Sequence, residues 1–524
     1  MNSYRFKIIP LNKFQSIKNL NHNNSIQNFN NIINKRFNHF NAAPKLSLDD
    51  VNPRVIKAEY AVRGLIPNKA EELRKKLLRH PNELPFKQII NANIGNPQQL
   101  KQKPITFYRS VLSILQNPSL LNDNHDSSSS INYPQDVKDR ASKLLKEIGS
   151  VGAYSQSQGS LIVRESIAKF ITNRDDGALA HPNDIYLTTG ASDAVKLVFE
   201  VILNGERDNG VLIPIPQYPL YTAAIALKNS TPIPYYLNES DNWSTDPQKI
   251  EELVLSSLKF GIKPKILVVI NPGNPTGSVL NQDNIKDILQ IAAKYGIVII
   301  ADEVYQNNVF EGKKFHSFKK ILLELQQNRD EFDNVQLVSL HSSSKGVSGE
   351  CGQRGGYMEL IGFNHEILKL FDKLVSISLC PVVTGQALME LITNPPQKGD
   401  PSYELFQFET NSIHESYKSK ADALYNAFKQ LDNIEVQKPQ GAMYLFPKIL
   451  FNERILNASK ELNLQPDEFY CLKLLEQTGI CVVPGSGFGQ VEGTFHVRTT
   501  FLPPGNEWIH EWAKFHQNFF KKFS

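Results

Sequence analysis

Lys345 stands in the run HSSSKGVSGECGQRGGY (His341 to Tyr357), directly behind the apolar stretch VQLVSL, and Arg354 follows nine residues later. A lysine among small hydroxylated residues at the mouth of a buried strand is partly desolvated, which favours the neutral, nucleophilic amine that Schiff-base chemistry needs. A nearby arginine suits a phosphate, because its planar fork gives two parallel hydrogen bonds. Taken alone, the run is equally a polar loop with a surface lysine.

Four further segments bear on that choice. In KILVVINPGNPTGSVL, Ile266–Ile270 reads as a strand buried on both faces and the Asn-Pro-Gly-Asn-Pro turns end it. Asn274 then offers a neutral donor at a strand's carboxyl end, where open α/β sheets bind ligands. In GIVIIADEVY another buried strand ends at Asp302, with Tyr305 three residues on and on the same side of the chain. Asp302 would keep a pyridinium nitrogen protonated, and Tyr305 and Asn274 would donate to a phenolate oxygen on the same ring. In IYLTTGASDAV the small residues Ala191 and Ser192 open a helix whose free amides suit an anion. In VLIPIPQYPLY, Tyr218 is set to stack on a planar ring. Each segment also has a plain structural reading, as a tight turn, a helix cap, a helix start or a packing tyrosine. One cofactor unites them: pyridoxal 5'-phosphate, covalently anchored at Lys345.

The order helix, tyrosine, asparagine turn, Asp-x-x-Tyr, lysine, arginine resembles the fold-type-I pyridoxal-phosphate aminotransferases of class I/II. Longer stretches (NPGNPTG, ADEVYQ, FHSFKK, SKGVSGECGQRGGY, LCPVVTGQAL, QGAMY, GICVVPGSGFGQ) resemble the alanine aminotransferases within them, from about Asn52 to the C-terminus. The resemblance implies cofactor roles for Ala191, Ser192, Tyr218, Asn274, Asp302, Tyr305, Ser342, Lys345 and Arg354, with Lys345, Asp302 and Tyr305 catalytic. It implies that Arg498, in TFHVRTTFLPP, binds the substrate α-carboxylate, a role its planar guanidinium also suits on its own. It implies that Gly95, in Ile94-Gly95-Asn96-Pro97, belongs to a loop closing over substrate, although a plain turn explains that glycine as well. The implied reaction moves an amino group between L-alanine and 2-oxoglutarate by ping-pong kinetics, in a homodimer acting on small amino acids and 2-oxo acids. A transaminase using another acceptor such as glyoxylate, or a cofactor binder without catalysis, remains open.

Other motifs lead nowhere. Gly485-Ser486-Gly487-Phe488-Gly489 lacks the spacing and following helix of a dinucleotide fingerprint. Cys351, Cys380, Cys471 and Cys481 form no Cys-x-x-Cys pair, so no metal site is expected and all four read as buried, reduced thiols.

The elements that must hold these residues follow from periodicity. The apolar content, 41%, is that of an ordinary globular chain, and no apolar run reaches the roughly 18 residues of a membrane span, so no integral membrane association is expected. Ile185–Thr189, Val211–Ile215, Ile266–Ile270, Ile297–Asp302 and Val335–Leu340 alternate with helical spacing, predicting an α/β fold with a mostly parallel, helix-covered sheet in a large domain and a smaller α/β domain beside it. The expected division is a transit-like segment over 1–41, an N-terminal arm and part of the small domain over 42–132, the large cofactor-binding domain over 133–385 and the C-terminal small domain over 386–524. Helices are expected at Asn68–Arg79, Glu415–Leu431 and Pro466–Gly479, and an exposed loop at Asn117–Ile131.

Residues 1–48 hold seven Lys and Arg and no acid, against a chain total of +4, so the remainder carries −3 (4 − 7). That remainder carries no basic excess to support nucleic-acid binding. Leu11, Phe14, Ile17 and Leu20 trace one face of a short helix after Pro10. A basic, acid-free start of this kind predicts mitochondrial import to the matrix, with cleavage near Arg36 to Asn41, although its many asparagines and few arginines also fit a low-complexity tail.

Overall fold

The computed structural model describes residues 45–58, 60, 64–121, 132–310 and 312–524. The transit-like segment, its amphipathic helix and its cleavage site lie outside the described residues, as does most of the Asn117–Ile131 loop.

Long uninterrupted apolar runs cannot stand at a surface, and here they stack into the centre of a sheet. Among the described residues its seven strands are β1 (Ile185–Thr188), β2 (Asn209–Ile215), β3 (Thr231–Tyr236), β4 (Lys263–Ile270), β5 (Val298–Asp302), β6 (Leu337–Ser342) and β7 (Gly356–Ile361), in the order β1-β7-β6-β5-β4-β2-β3. β2 runs parallel to β3 and β4, β4 to β5 and β5 to β6, while β7 is antiparallel to both β1 and β6. β1, β2, β5 and β6 are buried at every residue, because apolar clusters cover both faces: Val195, Phe199, Tyr221 and Phe371 on one, Ile250, Ile288, Phe318 and Phe332 on the other. Each fully buried apolar side chain of this kind contributes roughly 1.5–3 kcal/mol.

Two strands depart from the expected set. β3, in STPIPYY, carries Pro232 and Pro234, which argue against a strand; it is tolerated because β3 is the sheet's edge and alternates exposed prolines with buried Ile233 and Tyr235. β7 follows the lysine run so closely that it reads as part of one loop. The helix expected from Glu415 begins twelve residues earlier and spans Tyr403–Lys429, since exposed Leu405 and Phe408 beside buried Phe406 break the one-face apolar spacing of its first turns.

The C-terminal part builds a second core around Trp512, Phe515, Phe519 and Tyr470. Its small antiparallel sheet joins β8 (Tyr444–Leu445), β9 (Val483–Pro484) and β10 (Val497–Thr500) in the order β8-β10-β9. All four residues of β10 are buried. Arg54–Ser524 forms one compact unit holding every residue of the cavity described below. No helix among the described residues is long and apolar enough to cross a membrane.

Candidate active site

The carboxyl ends of β1, β2, β4, β5 and β6 share one edge of the sheet, and the reversal of β7 brings its amino end, with Arg354 just before it, to that same edge. One cavity opens there, and Gly95, Ala191, Ser192, Tyr218, Asn274, Asp302, Tyr305, Ser342, Lys345, Arg354 and Arg498 all line it. Residues spread over four hundred positions of chain thus converge.

β1 runs through Thr189 and Gly190 into the helix Ala191–Ile202, whose first amides receive no side-chain cap. They are left facing the cavity with the positive end of the helix dipole. Gly190 has φ +92°, and a Cβ there would lie 2.7 Å from Arg354 Nη2, so only glycine admits both the turn and the guanidinium. Arg354 Nη2 donates to Thr189 O at 2.9 Å and Nη1 to Cys351 O at 3.1 Å, which holds the arginine beside the helix start.

Lys345 lies in a turn closed by the serines that crowd its sequence. Ser348 Oγ donates to Ser343 O and Lys345 O, both at 2.9 Å, and Gly346 N donates to Asn308 Oδ1 at 2.9 Å. The amine is thereby aimed inward, where Nζ donates to Gly95 O at 2.8 Å. Ser342 lines the cavity, yet its hydroxyl donates to Gly355 O at 3.2 Å within the turn.

Asp302, at the end of β5, is buried. Its Oδ2 accepts from the Tyr221 hydroxyl at 2.7 Å, and its Oδ1 has no partner although buried. Burial pushes the carboxyl up; Tyr221, the Val304 N–H and the charge of Lys345 pull against that. An unpartnered carboxylate oxygen in such a place costs several kcal/mol unless a donor meets it.

Arg498, only 1% exposed, comes from the other side of the cavity on β10. Its guanidinium lies between the rings of Tyr444 and Phe488, 4.6 Å from each. Nη2 donates to Asn93 O, and Nη1 donates to Asn274 Oδ1 at 3.4 Å, leaving the Asn274 NH2 as the available donor. No acid pairs with it among the described residues. The two cation–π contacts, worth about 2 kcal/mol or more each when desolvated, supply no counter-charge to the buried guanidinium, so the site is suited to an incoming anion.

Sequence reasoning missed several contributors. Tyr221 lies one helical turn beyond Tyr218, and YPLY holds that i, i+3 signal. Tyr60 contacts Tyr218, the two hydroxyl oxygens 2.6 Å apart, from a stretch without pattern. Tyr444, in QGAMY, sits on β8 with its hydroxyl 3.3 Å from that of Tyr305. The cysteines also need correction: Cys471 and Cys481 are buried, but Cys351 and Cys380 are partly exposed, and Cys351 lines the cavity because the serine-rich turn carries it past Lys345. All four are free, and no group of His, Cys, Asp and Glu among the described residues could hold a metal.

A ring nitrogen for the unpartnered Asp302 oxygen, an anion for the uncapped helix start and Arg354, and a carbonyl for Lys345 are features of one molecule, and pyridoxal phosphate fits the donor set.

The chain belongs to the class I and II aminotransferases, whose family model matches residues 121–507. Its relatives include the mitochondrial alanine aminotransferase of Saccharomyces cerevisiae, 58% identical over 93% of this chain and 82% of that one. They also include an inactive alanine aminotransferase of the same yeast, 55% identical over 92% and 96% of the two chains. Among solved structures, an alanine aminotransferase from Pyrococcus furiosus superposes with a TM-score of 0.69 at 25% identity, covering 89% of this chain and all (100%) of that one.

Proposed function

We propose that this chain is an alanine aminotransferase: with pyridoxal phosphate bound at Lys345, it passes the amino group of L-alanine to 2-oxoglutarate, giving pyruvate and L-glutamate. The observation that carries the reading is the buried Arg498, without an acid partner, lining the same cavity as Lys345 and the unpartnered Asp302 oxygen.

The bound cofactor supplies an electron sink for the bonds at the substrate α-carbon. The chain's residues do the rest. The helix start at Ala191 and Ser192, with Arg354, holds the phosphate. Tyr218 packs against the ring, Asn274 and Tyr305 donate to its phenolate oxygen, and Asp302 keeps its nitrogen protonated. Arg498 fixes the α-carboxylate in two-point geometry, which orients the α-hydrogen. The Lys345 amine would be the base that takes the α-proton and the acid that gives it back. The Ile94–Pro97 loop, where Gly95 O already meets Lys345 Nζ, closes over the substrate and excludes water.

The yeast relative described as inactive makes the cofactor-binding reading without catalysis worth testing. A pure binder has no use for a carboxylate clamp, and this chain retains one. Purified enzyme with alanine and 2-oxoglutarate is expected to form pyruvate, with parallel lines when one substrate is varied at fixed levels of the other. Lys345→Ala is expected to lower turnover by at least about a thousandfold. Faster turnover with glyoxylate would reassign the acceptor. A bound cofactor whose absorption no amino acid alters would establish the binder.

The large and small domains, divided near residue 385, are part of this proposal, as is a homodimer, which a molar mass near twice 59.2 kDa for the full-length chain would support. The mitochondrial matrix is the proposed location, supported by the basic, acid-free residues 1–48 and by the yeast relative described as mitochondrial.

A further inference from the structure

We infer that Tyr444 is a positioning residue that competes with the cofactor's ring oxygen for the single proton of the Tyr305 hydroxyl, and so sets how strongly Tyr305 bonds that oxygen. The inference rests on the reading above that pyridoxal phosphate occupies the cavity.

The two phenols meet edge to face, with ring centroids 6.1 Å apart and planes at 82°, and the Tyr305 hydroxyl donates to the Tyr444 oxygen at 3.3 Å. Both side chains are buried, at 2% exposure each. A phenol owns one proton. Whatever Tyr305 gives to Tyr444 it withholds from the cofactor.

Tyr444 is not free to turn away. It lies opposite Thr500 on β10, diagonal to Arg498 two residues along, the arrangement in which side chains on one face of a sheet touch. Its ring therefore packs under the Arg498 guanidinium at 4.6 Å. Its hydroxyl abuts Gly95, where any Cβ would overlap it.

The surrounding charges act differently on the two phenols. Burial opposes ionisation of both phenols. At Tyr444 the cationic Lys345 and Arg498 overcome it, with the Tyr305 bond helping and Cys351 opposing, so the balance falls below an ordinary phenol. At Tyr305 burial and Tyr444 itself push upward, Asp302 adds to this, and Arg498 offsets only part. Tyr218, also facing Tyr444, is held well up by burial and by Tyr60. Within the pair the Tyr305 hydroxyl donates and the Tyr444 oxygen accepts.

The test is a pH titration of the visible absorption of the cofactor-loaded enzyme. Hydrogen bonds to the ring's charged oxygen favour the deprotonated form of the covalent link to Lys345. Tyr444→Phe keeps the ring under Arg498 but removes the competing acceptor, so its midpoint is expected to fall by at least about half a pH unit as Tyr305 turns fully to the cofactor. Tyr305→Phe is expected to raise the midpoint, and the Tyr305→Phe/Tyr444→Phe double variant to match Tyr305→Phe alone, since the two act through one proton. A midpoint unchanged or raised in Tyr444→Phe, or a double variant that still shows a separate Tyr444 effect, overturns the inference. Wild-type enzyme that does not take up the cofactor at Lys345 overturns the functional reading as well; normal uptake with an unmoved Tyr444→Phe midpoint overturns this inference alone.

Discussion

Arg498 and Asp302 pose the same problem from opposite sides of one cavity, a charged group buried with part of its hydrogen-bonding capacity unmet. Asp302 Oδ1 and Arg498 Nε are both buried without protein partners, and a ligand or an ordered water completes such atoms. The two roles predict separable defects. Asp302→Asn is nearly isosteric and keeps the Tyr221 contact, so the enzyme is expected to bind cofactor and alanine while turnover falls by a factor of a hundred or more, on the order of 3 kcal/mol or above in the barrier. Arg498→Lys keeps the charge but loses the fork, so the expected loss falls mainly on kcat/KM for alanine and glutamate. Steady-state kinetics of both variants check this; unchanged alanine kinetics in Arg498→Lys would make Arg498 structural.

At the scale of elements, the site is an edge where strands stop. Just past β5 and within β6 lie two buried groups, Glu303 and His341, whose pKa values are pushed in opposite directions. Burial, with Arg174 adding to it, pushes His341 down to about 3, against an unfolded value of about 6.5. The folded state therefore binds fewer protons than the unfolded one below pH 6.5, and this contribution, whole above 6.5, is lost as pH falls towards 3. Burial pushes Glu303 up to about 7, against the pull of Arg174, the Phe318 N–H and Ser339. Its contribution is whole below about 4.5 and is lost as pH rises through 7. Relative to wild type, His341→Phe is expected to gain stability as pH falls from 6.5 to 5, by up to about 1.4 kcal/mol per unit. Glu303→Gln is expected to gain as pH rises from 5 to 8. Thermal midpoints across that range read both trends, and parallel curves for all three proteins would refute them.

For the whole molecule, residues 1–45 are expected to act as an address independent of the fold, since every residue of the cavity lies at Tyr60 or beyond. Fused to a fluorescent reporter they should direct it into mitochondria, because positive charge without acid is drawn by the membrane potential. Glutamate at positions 13, 18, 35 and 36 should leave the reporter in the cytosol, as seen by microscopy. Diffuse signal from the unaltered fusion would refute the address.

What the sequence determined by itself was local. Apolar runs bounded by turn residues marked β1, β2, β4, β5 and β6 to within a few positions, because a strand covered on both faces has to be apolar throughout. Side-chain chemistry near their ends offered Lys345, Asp302 and Arg354 as candidates, because few residue types can bind a carbonyl carbon, a ring nitrogen or an anion, and the family resemblance added Arg498. Tertiary structure alone decided what happens between distant residues. Pro232 and Pro234 look like strand breakers until β3 is known to be an edge. Gly356–Ile361 reads as loop until β1 and β6 are seen on either side of β7. Tyr444 is an ordinary aromatic until the β8–β10 register sets it under Arg498 and against Tyr305. Periodicity records which face of an element is buried; it carries no record of which other element covers that face, and the hydroxyl contacts and unmet hydrogen bonds of this cavity exist only once that is settled.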